Sequence, residues 1–411
     1  MNEPFIYSLP NGIRIVHKEL SNTKVMHCGI VLDIGSRDEN ESQKGLAHFW
    51  EHMAFKGTSK RKAFHIINRL DSLGGELNAF TTKEKISFYA SIMDIHFEKA
   101  IELLKDITFD STFPLKQIER EKGVILEEMS MYKDSPEDAL HDEFDEVIFG
   151  DHPLGYNILG TSESVSGFSQ QDFKTFLQEN FDTSRIVFTS IGNLSFKKVK
   201  YLAEKYFGDI PTISAKSHRK NFKIYAPNER IIEKPINQVH CSMGRTAYPF
   251  AHKKKHILFM LNNILGGPAM NSRLNMSLRE RKGFVYSIES SYTPYEDTGL
   301  FGIYFATDPS SVDKGIKNIW KELNLLKEKK LGINQIKSAK EQLMGQIAIS
   351  EERNISFMLM MGKSLLEIDR VETLPEIFEK IKSISETDLM EVATELFNKN
   401  EFSTLLYTTQ K

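Results

Sequence analysis

Cysteine is nearly absent from this chain of 411 residues: Cys28 and Cys241 are the only two. That excludes a disulfide framework and a cysteine-based zinc cluster. An excess of basic charge is missing too, since 53 Lys and Arg stand against 56 Asp and Glu for a net −3. Near-neutrality argues against nucleic acid as the main partner. No apolar run approaches the roughly 18 residues of a membrane helix. The opening Met1-Asn2-Glu3-Pro4-Phe5 has neither the basic nor the apolar region of a secretion signal. The expectation is a cytoplasmic protein with no membrane or nucleic-acid partner. Its length predicts two or three domains, and its 40% hydrophobic content a sizeable core.

What is present is a repeat. Residues 13–16, 25–32 and 86–93 read as strands, and 44–56, 63–73, 95–107, 114–132 and 170–180 as helices. In the second half a strand at 237–245 precedes helices at 252–265 and 272–281, strands at 284–292 and 299–306, and helices at 310–330, 333–360 and 385–397. Val25-Met26-His27-Cys28 and Gln238-Val239-His240-Cys241 hold matching places in the two series. The expected fold class is therefore α+β: two homologous domains, each a mainly antiparallel sheet covered on one face by helices. The polar stretch after Pro211 predicts boundaries at 1–211, a 212–222 linker, and 223–411. Residues 1–211 carry 24 basic and 33 acidic residues, a net −9, and residues 212–411 carry 29 and 23, a net +6.

The chemical signal is His48-Phe49-Trp50-Glu51-His52. On a helix, positions i, i+3 and i+4 share a face, so His48, Glu51 and His52 converge while Phe49 and Trp50 point elsewhere. Two imidazoles one turn apart can both reach a zinc ion, and a carboxylate beside them can take a proton from water. Glu121 and Glu128 lie two turns apart on one face of the 114–132 helix, so one can ligate while the other supports a ligand. Glu119 and Glu127 fall on other faces and read as solvated surface.

The set His48-x-x-Glu51-His52, then Glu128 with Glu121 seven before it, resembles the pitrilysin/insulinase family of inverted-motif zinc peptidases. Flanking residues are similar to the branch of the mitochondrial processing peptidase beta subunit and its bacterial relatives. They include Gly35-Ser36-Arg37, His52-Met53-Ala54-Phe55-Lys56-Gly57-Thr58, Gly74-Gly75-Glu76-Leu77-Asn78-Ala79-Phe80-Thr81 and Asp151-His152-Pro153-Leu154-Gly155. Leu265-Gly266-Gly267, Ser272-Arg273-Leu274 and Leu278-Arg279-Glu280 with Gly283 and Tyr286 extend the likeness into the second half.

The resemblance implies a metalloendopeptidase acting on unstructured peptides, with one Zn²⁺ per chain held by His48, His52 and Glu128. It makes Glu51 the general base on a zinc-bound water and Glu121 the acid supporting a ligand. Arg279 and Tyr286 become donors to the substrate carbonyl, and Asn78, Ala79 and Phe80 a substrate-facing edge strand. It also implies a dimer enclosing a chamber, as a homodimer or with a related chain. The −9 and +6 halves suggest electrostatic pairing of the two chains. A non-catalytic scaffold on the same fold is the competing reading, and the five intact motif positions argue against it. His17, His27, His240 and His256 lack an acid or histidine at ligand spacing and read as structural, as does His152. Phe357-Met358-Leu359-Met360-Met361 reads as helix core.

Overall fold

A computed structural model describes residues 3–216 and 219–410. The expected linker residues Ser217 and His218 lie outside the described residues. In chain order the strands are β1 (Phe5–Ser8), β2 (Arg14–Glu19), β3 (Val25–Leu32), β4 (Glu76–Thr81), β5 (Ile86–Met93), β6 (Ile186–Gly192), β7 (Glu229–Lys234), β8 (Val239–Ala247), β9 (Ser287–Pro294), β10 (Gly299–Thr307) and β11 (Ser403–Thr409). The first helices are α1 (Leu46–Ala54), α2 (Ala63–Asp71), α3 (Phe97–Phe109), α4 (Leu115–Asp134), α5 (Pro136–Phe149), α6 (Ser162–Gly167), α7 (Gln170–Asn180) and α8 (Phe196–Phe207). They are followed by α9 (Lys255–Gly266), α10 (Val312–Glu328), α11 (Ile333–Glu351), α12 (Asn354–Ile368), α13 (Leu374–Ser383) and α14 (Glu386–Leu396). No helix among the described residues is long and apolar enough to cross a membrane.

The chain forms two compact units, and neither is continuous in sequence. One comprises Met1–Ser130, Tyr156–Lys220 and Ser350–Glu372; the other comprises Met131–Gly155, Asn221–Ile349 and Thr373–Lys411. Each unit thus takes one helical segment from the opposite half of the chain, where the sequence reading expects a single boundary at 212–222. Part of that expected linker is firmly held: the Arg219 guanidinium bonds Asp33 and Asp38 at 2.9 Å.

The first unit is built on a six-stranded sheet in the order β1-β2-β6-β3-β5-β4. Of its pairs, β2–β6 is parallel and the rest antiparallel. All seven residues of β6 are buried, as a central strand covered on both faces requires. Alternation sorts its neighbours: Ile15, Phe88 and Phe188 face a core shared with Trp50, Phe173 and Phe207. Val16, Val187 and Ile191 face the other way, onto Phe357, Met358, Met361 and Leu365 of α12.

The second unit repeats this plan. Its sheet runs β7-β11-β8-β10-β9, with β7–β11 parallel, which matches β2-β6-β3-β5-β4 strand for strand. Cys28 on β3 and Cys241 on β8 are both fully buried, so the sequence alignment of the two halves follows the topology. Here α5 covers the second face, its Leu140, Phe144 and Ile148 packing with Tyr304, Leu405 and Tyr407. Each sheet therefore has helices on one face, as expected, and in addition a lone helix on the other.

Two local expectations change. The predicted 333–360 helix is two helices, α11 and α12, broken at Glu352–Arg353, because α12 belongs to the first unit's sheet. The predicted 272–281 helix is a π-helical turn, Asn275–Glu280, a form found frequently at functional sites.

Candidate metal centre

Helix α1, which carries His48, Glu51 and His52, is fixed at its start. Gly45 adopts φ +92°, and a Cβ there would lie 2.5 Å from the Leu159 carbonyl oxygen, so only glycine fits. The buried Glu39 carboxylate accepts from the Gly45 and Ala47 amides at 2.9 and 2.7 Å, capping the free N–H groups of α1. Burial still pushes that carboxyl up to about 8 against the pull of the two amides. From this anchor α1 turns Leu46, Phe49, Trp50 and Met53 into the core and leaves His48, Glu51 and His52 on the other side.

Helix α4 brings the acids. Its buried residues are Ile118, Glu121, Ile125 and Met129, a stripe at helical spacing in which Glu121 takes an apolar position. Glu128 is half-buried two turns beyond Glu121 along the same side, while Glu119 and Glu127 are exposed, in agreement with their reading as solvated surface.

Between the two helices, ligand atoms of His48, His52 and Glu128 lie within 4.8 Å of one another. The His48 and His52 Nε2 atoms are 3.8 and 3.5 Å from the Glu128 carboxylate oxygens. His52 gives its other nitrogen, Nδ1, to Glu121 at 3.1 Å, so its Nε2 is the atom left for a cation. Lys56 closes the array, 2.8 Å from the second Glu121 oxygen.

Burial, with the neighbouring His52 second, pushes His48 down to about 3, so its ring is neutral at physiological pH and free to ligate. Burial also raises the Glu51 carboxyl above the ordinary range. It would raise Glu121 likewise, but hydrogen bonds from His52 and Lys56 hold that group below its usual value. Two imidazoles and a carboxylate around a common point are the donor set of a catalytic zinc site, in which three protein ligands leave a position open. The residues fit the metal.

The sequence reading missed two members. Lys56 is four residues after His52 but two past the end of α1, in the turn that follows it, so helical spacing does not place it there. Thr81, whose hydroxyl donates to Glu51 Oε2 at 2.6 Å, comes from β4 and gave no local signal. The expected edge strand is placed as follows. β4 is one of the two edge strands of its sheet, and Leu77 and Ala79 turn to the core that contains α1. Phe80 turns to the opposite face, against Tyr89 at 6.1 Å between ring centroids, and Asn78 shares that face. Only Ala79 of the three lies on the side of His48 and His52.

Arg279 and Tyr286 belong to the second unit. Tyr286 is 73% exposed, and the Arg279 guanidinium has an ion partner, Glu280, at a loose 3.7 Å. His152 is structural in its contacts: Nδ1 accepts from the Leu154 amide at 3.2 Å, and the ring meets Phe222 edge-on.

Comparison with known proteins agrees with this geometry. Residues 14–162 match the family described as "Insulinase (Peptidase family M16)", and residues 167–343 match "Peptidase M16 inactive domain". The chain is 33% identical over 394 residues to the zinc protease YmxG of Bacillus subtilis, covering 96% of each. It is 29% identical over 409 residues to a zinc protease of Rickettsia felis, covering 99% of this chain and 98% of that one. A solved protease from Helicobacter pylori shares the fold, with a TM-score of 0.91 at 20% identity over 99% of both chains. A structure described as a peptidase M16 inactive domain, from Pseudomonas fluorescens, has a TM-score of 0.91 at 18% identity over 100% of this chain and 99% of that one. Fold, donor set and relatives together define a zinc metalloprotease. The chain belongs to the insulinase family, peptidase family M16.

Proposed function

We propose that the chain is a metalloendopeptidase that cleaves unstructured peptides, with one zinc per chain held by His48, His52 and Glu128 and with Glu51 as general base. The convergence of those three ligands, with Glu51 on the same face of α1, carries the reading.

When bound there, zinc supplies Lewis acidity, bringing the pKa of a water to about 7 and polarising the scissile carbonyl. Glu51 accepts a proton from the attacking water and returns it to the departing amine. Glu121 holds His52 in the tautomer whose Nε2 carries the lone pair, and Lys56 balances the charge of that acid. The outer edge of β4 offers unpaired main-chain groups, to which an extended peptide adds as a further strand. Backbone recognition of this kind tolerates varied sequences and excludes folded domains. Arg279 and Tyr286 donate to the substrate carbonyl, and the active assembly is a dimer in which a second chain supplies that pair.

The test is Glu51→Gln. The variant is expected to keep its zinc, measured by plasma mass spectrometry, and to lose about 10²- to 10⁴-fold in cleavage of a quenched peptide. A variant that cleaves at the wild-type rate overturns the proposal, as does a folded wild-type chain that binds no zinc.

A further inference from the structure

We propose that Thr81 is a positioning residue for the Glu51 carboxylate, and that it ties the base to the strand on which a peptide would be bound. The inference rests on Glu51 being the base.

The hydroxyl of Thr81 lies 2.6 Å from Glu51 Oε2, the length of a charge-assisted O–H to carboxylate bond. Among the described residues it is the side-chain donor to that group. Its place is over-determined. Thr81 ends β4 opposite Ile86 of β5, a fully buried residue on the α1 side of the sheet. The turn that follows is closed by the Thr82 amide on the Lys85 carbonyl at 2.7 Å and the Lys85 amide on the Thr82 hydroxyl at 2.9 Å. The branched Cβ of threonine leaves little χ1 freedom. A fixed donor on Oε2 orients the carboxylate plane and directs Oε1 to the water it must deprotonate. Without it, a buried carboxylate can rotate about its terminal torsion, which is broad and has no sharp minimum of its own.

β4 is also an edge strand of the sheet, to which a further strand can add. Its register and the orientation of the base are therefore joined through one side chain. A peptide that pairs in the correct register holds β4, and with it Thr81 and Glu51, in place.

The experiment compares Thr81→Val and Thr81→Ser in the full-length, zinc-loaded protein, alone and combined with Glu51→Gln. It measures kcat and KM on a quenched peptide, zinc affinity by chelator competition, and binding of the same peptide to metal-free protein. Thr81→Val is expected to lower kcat by about 10- to 100-fold, with KM, zinc affinity and metal-free peptide binding unchanged. Thr81→Ser restores the rate, and Thr81→Val adds no further loss to Glu51→Gln. A wild-type kcat in Thr81→Val overturns the inference. So does an equal loss in both Thr81 variants, a loss that multiplies with that of Glu51→Gln, or a loss that follows zinc affinity. If Glu51→Gln itself is fully active, the assignment of the base fails; if it is inactive while Thr81→Val is normal, the role of Thr81 alone fails.

Discussion

His17 lies fully buried on β2, with Nδ1 2.9 Å from the Ser190 hydroxyl and Nε2 2.8 Å from the Leu194 carbonyl. A carbonyl can only accept, so Nε2 carries the proton and Nδ1 receives one from serine, the arrangement of a neutral ring. Burial holds the pKa of His17 below its ordinary 6.5, against the weaker pull of Leu194, Glu19 and Ser190. The consequence for stability has a definite sign. At pH above 6.5 the ring is neutral in both states and its contribution is complete. As the pH falls below that value, the unfolded chain gains a proton that the folded chain refuses, and stability is lost down to the folded pKa. His27 and His240, one position before the buried cysteines in each half, shift in the same direction for the same reason. The urea midpoint is therefore expected to decline as the pH drops from 6.5. His17→Gln should be less stable at pH 7.5 yet show a shallower decline. Parallel slopes for variant and wild type would show that His17 does not contribute.

At the scale of elements, the helices of the candidate ligands are legible in the sequence and their supports are not. α1 announces itself through two histidines and an acid at helical spacing. α4 does so through an acid set in an apolar stripe, because both signals are local and periodic. β5 and α7 were placed to the residue for the same reason. Thr81 and the reciprocal exchange of α5 and α12 depend on which sheet a segment packs against, and hydrophobic period carries no record of the partner. The Met-rich run in α12 reads as core, and it is core, but of the first unit's sheet. Met358 is fully buried against that sheet, its backbone carbonyl accepts from Thr189 at 2.7 Å, and a Cβ on Gly362 would fall 2.7 Å from Val31 Cγ2. Helix and sheet meet too closely for the gap left by a truncation to collapse. Met358→Ala is accordingly expected to cost about 2–5 kcal/mol in chemical denaturation, while exposed Ser356→Ala stays within about 0.5 kcal/mol. Hydrogen exchange should show the lost protection in β3 and β6, strands far from α12 in sequence. Loss confined to residues 333–368 would mean that the helix is an appendage of its own half.

At the scale of the whole molecule, the same exchange of segments changes the electrostatics. Split by sequence, the halves carry −9 and +6. Counted by compact unit, the first holds 29 basic and 30 acidic residues, a net −1, and the second 24 and 26, a net −2. The acidic surplus of the first half sits mostly on the segment around α5, where Glu146 and Glu143 pair with Arg230 and Lys234 of the second unit. Opposite net charges therefore do not support dimer formation, and the proposed dimer must be tested by chemistry. The proposed zinc ligands and Glu51 lie in one unit, and Arg279 and Tyr286 in the other. Glu51→Gln and Arg279→Ala each leave one class of residue intact. If a site draws Glu51 from one chain and Arg279 from another, each variant alone is inactive, and a mixed dimer holds one doubly damaged site and one intact site. Random exchange of equal amounts then restores about a quarter of wild-type activity. Exchange itself is followed by native mass spectrometry on a size-tagged variant. Restoration should be reached at similar rates in low and high salt, because no long-range field between the chains is left to screen. Exchange that goes to completion with no recovery of cleavage would place both groups of residues within a single chain.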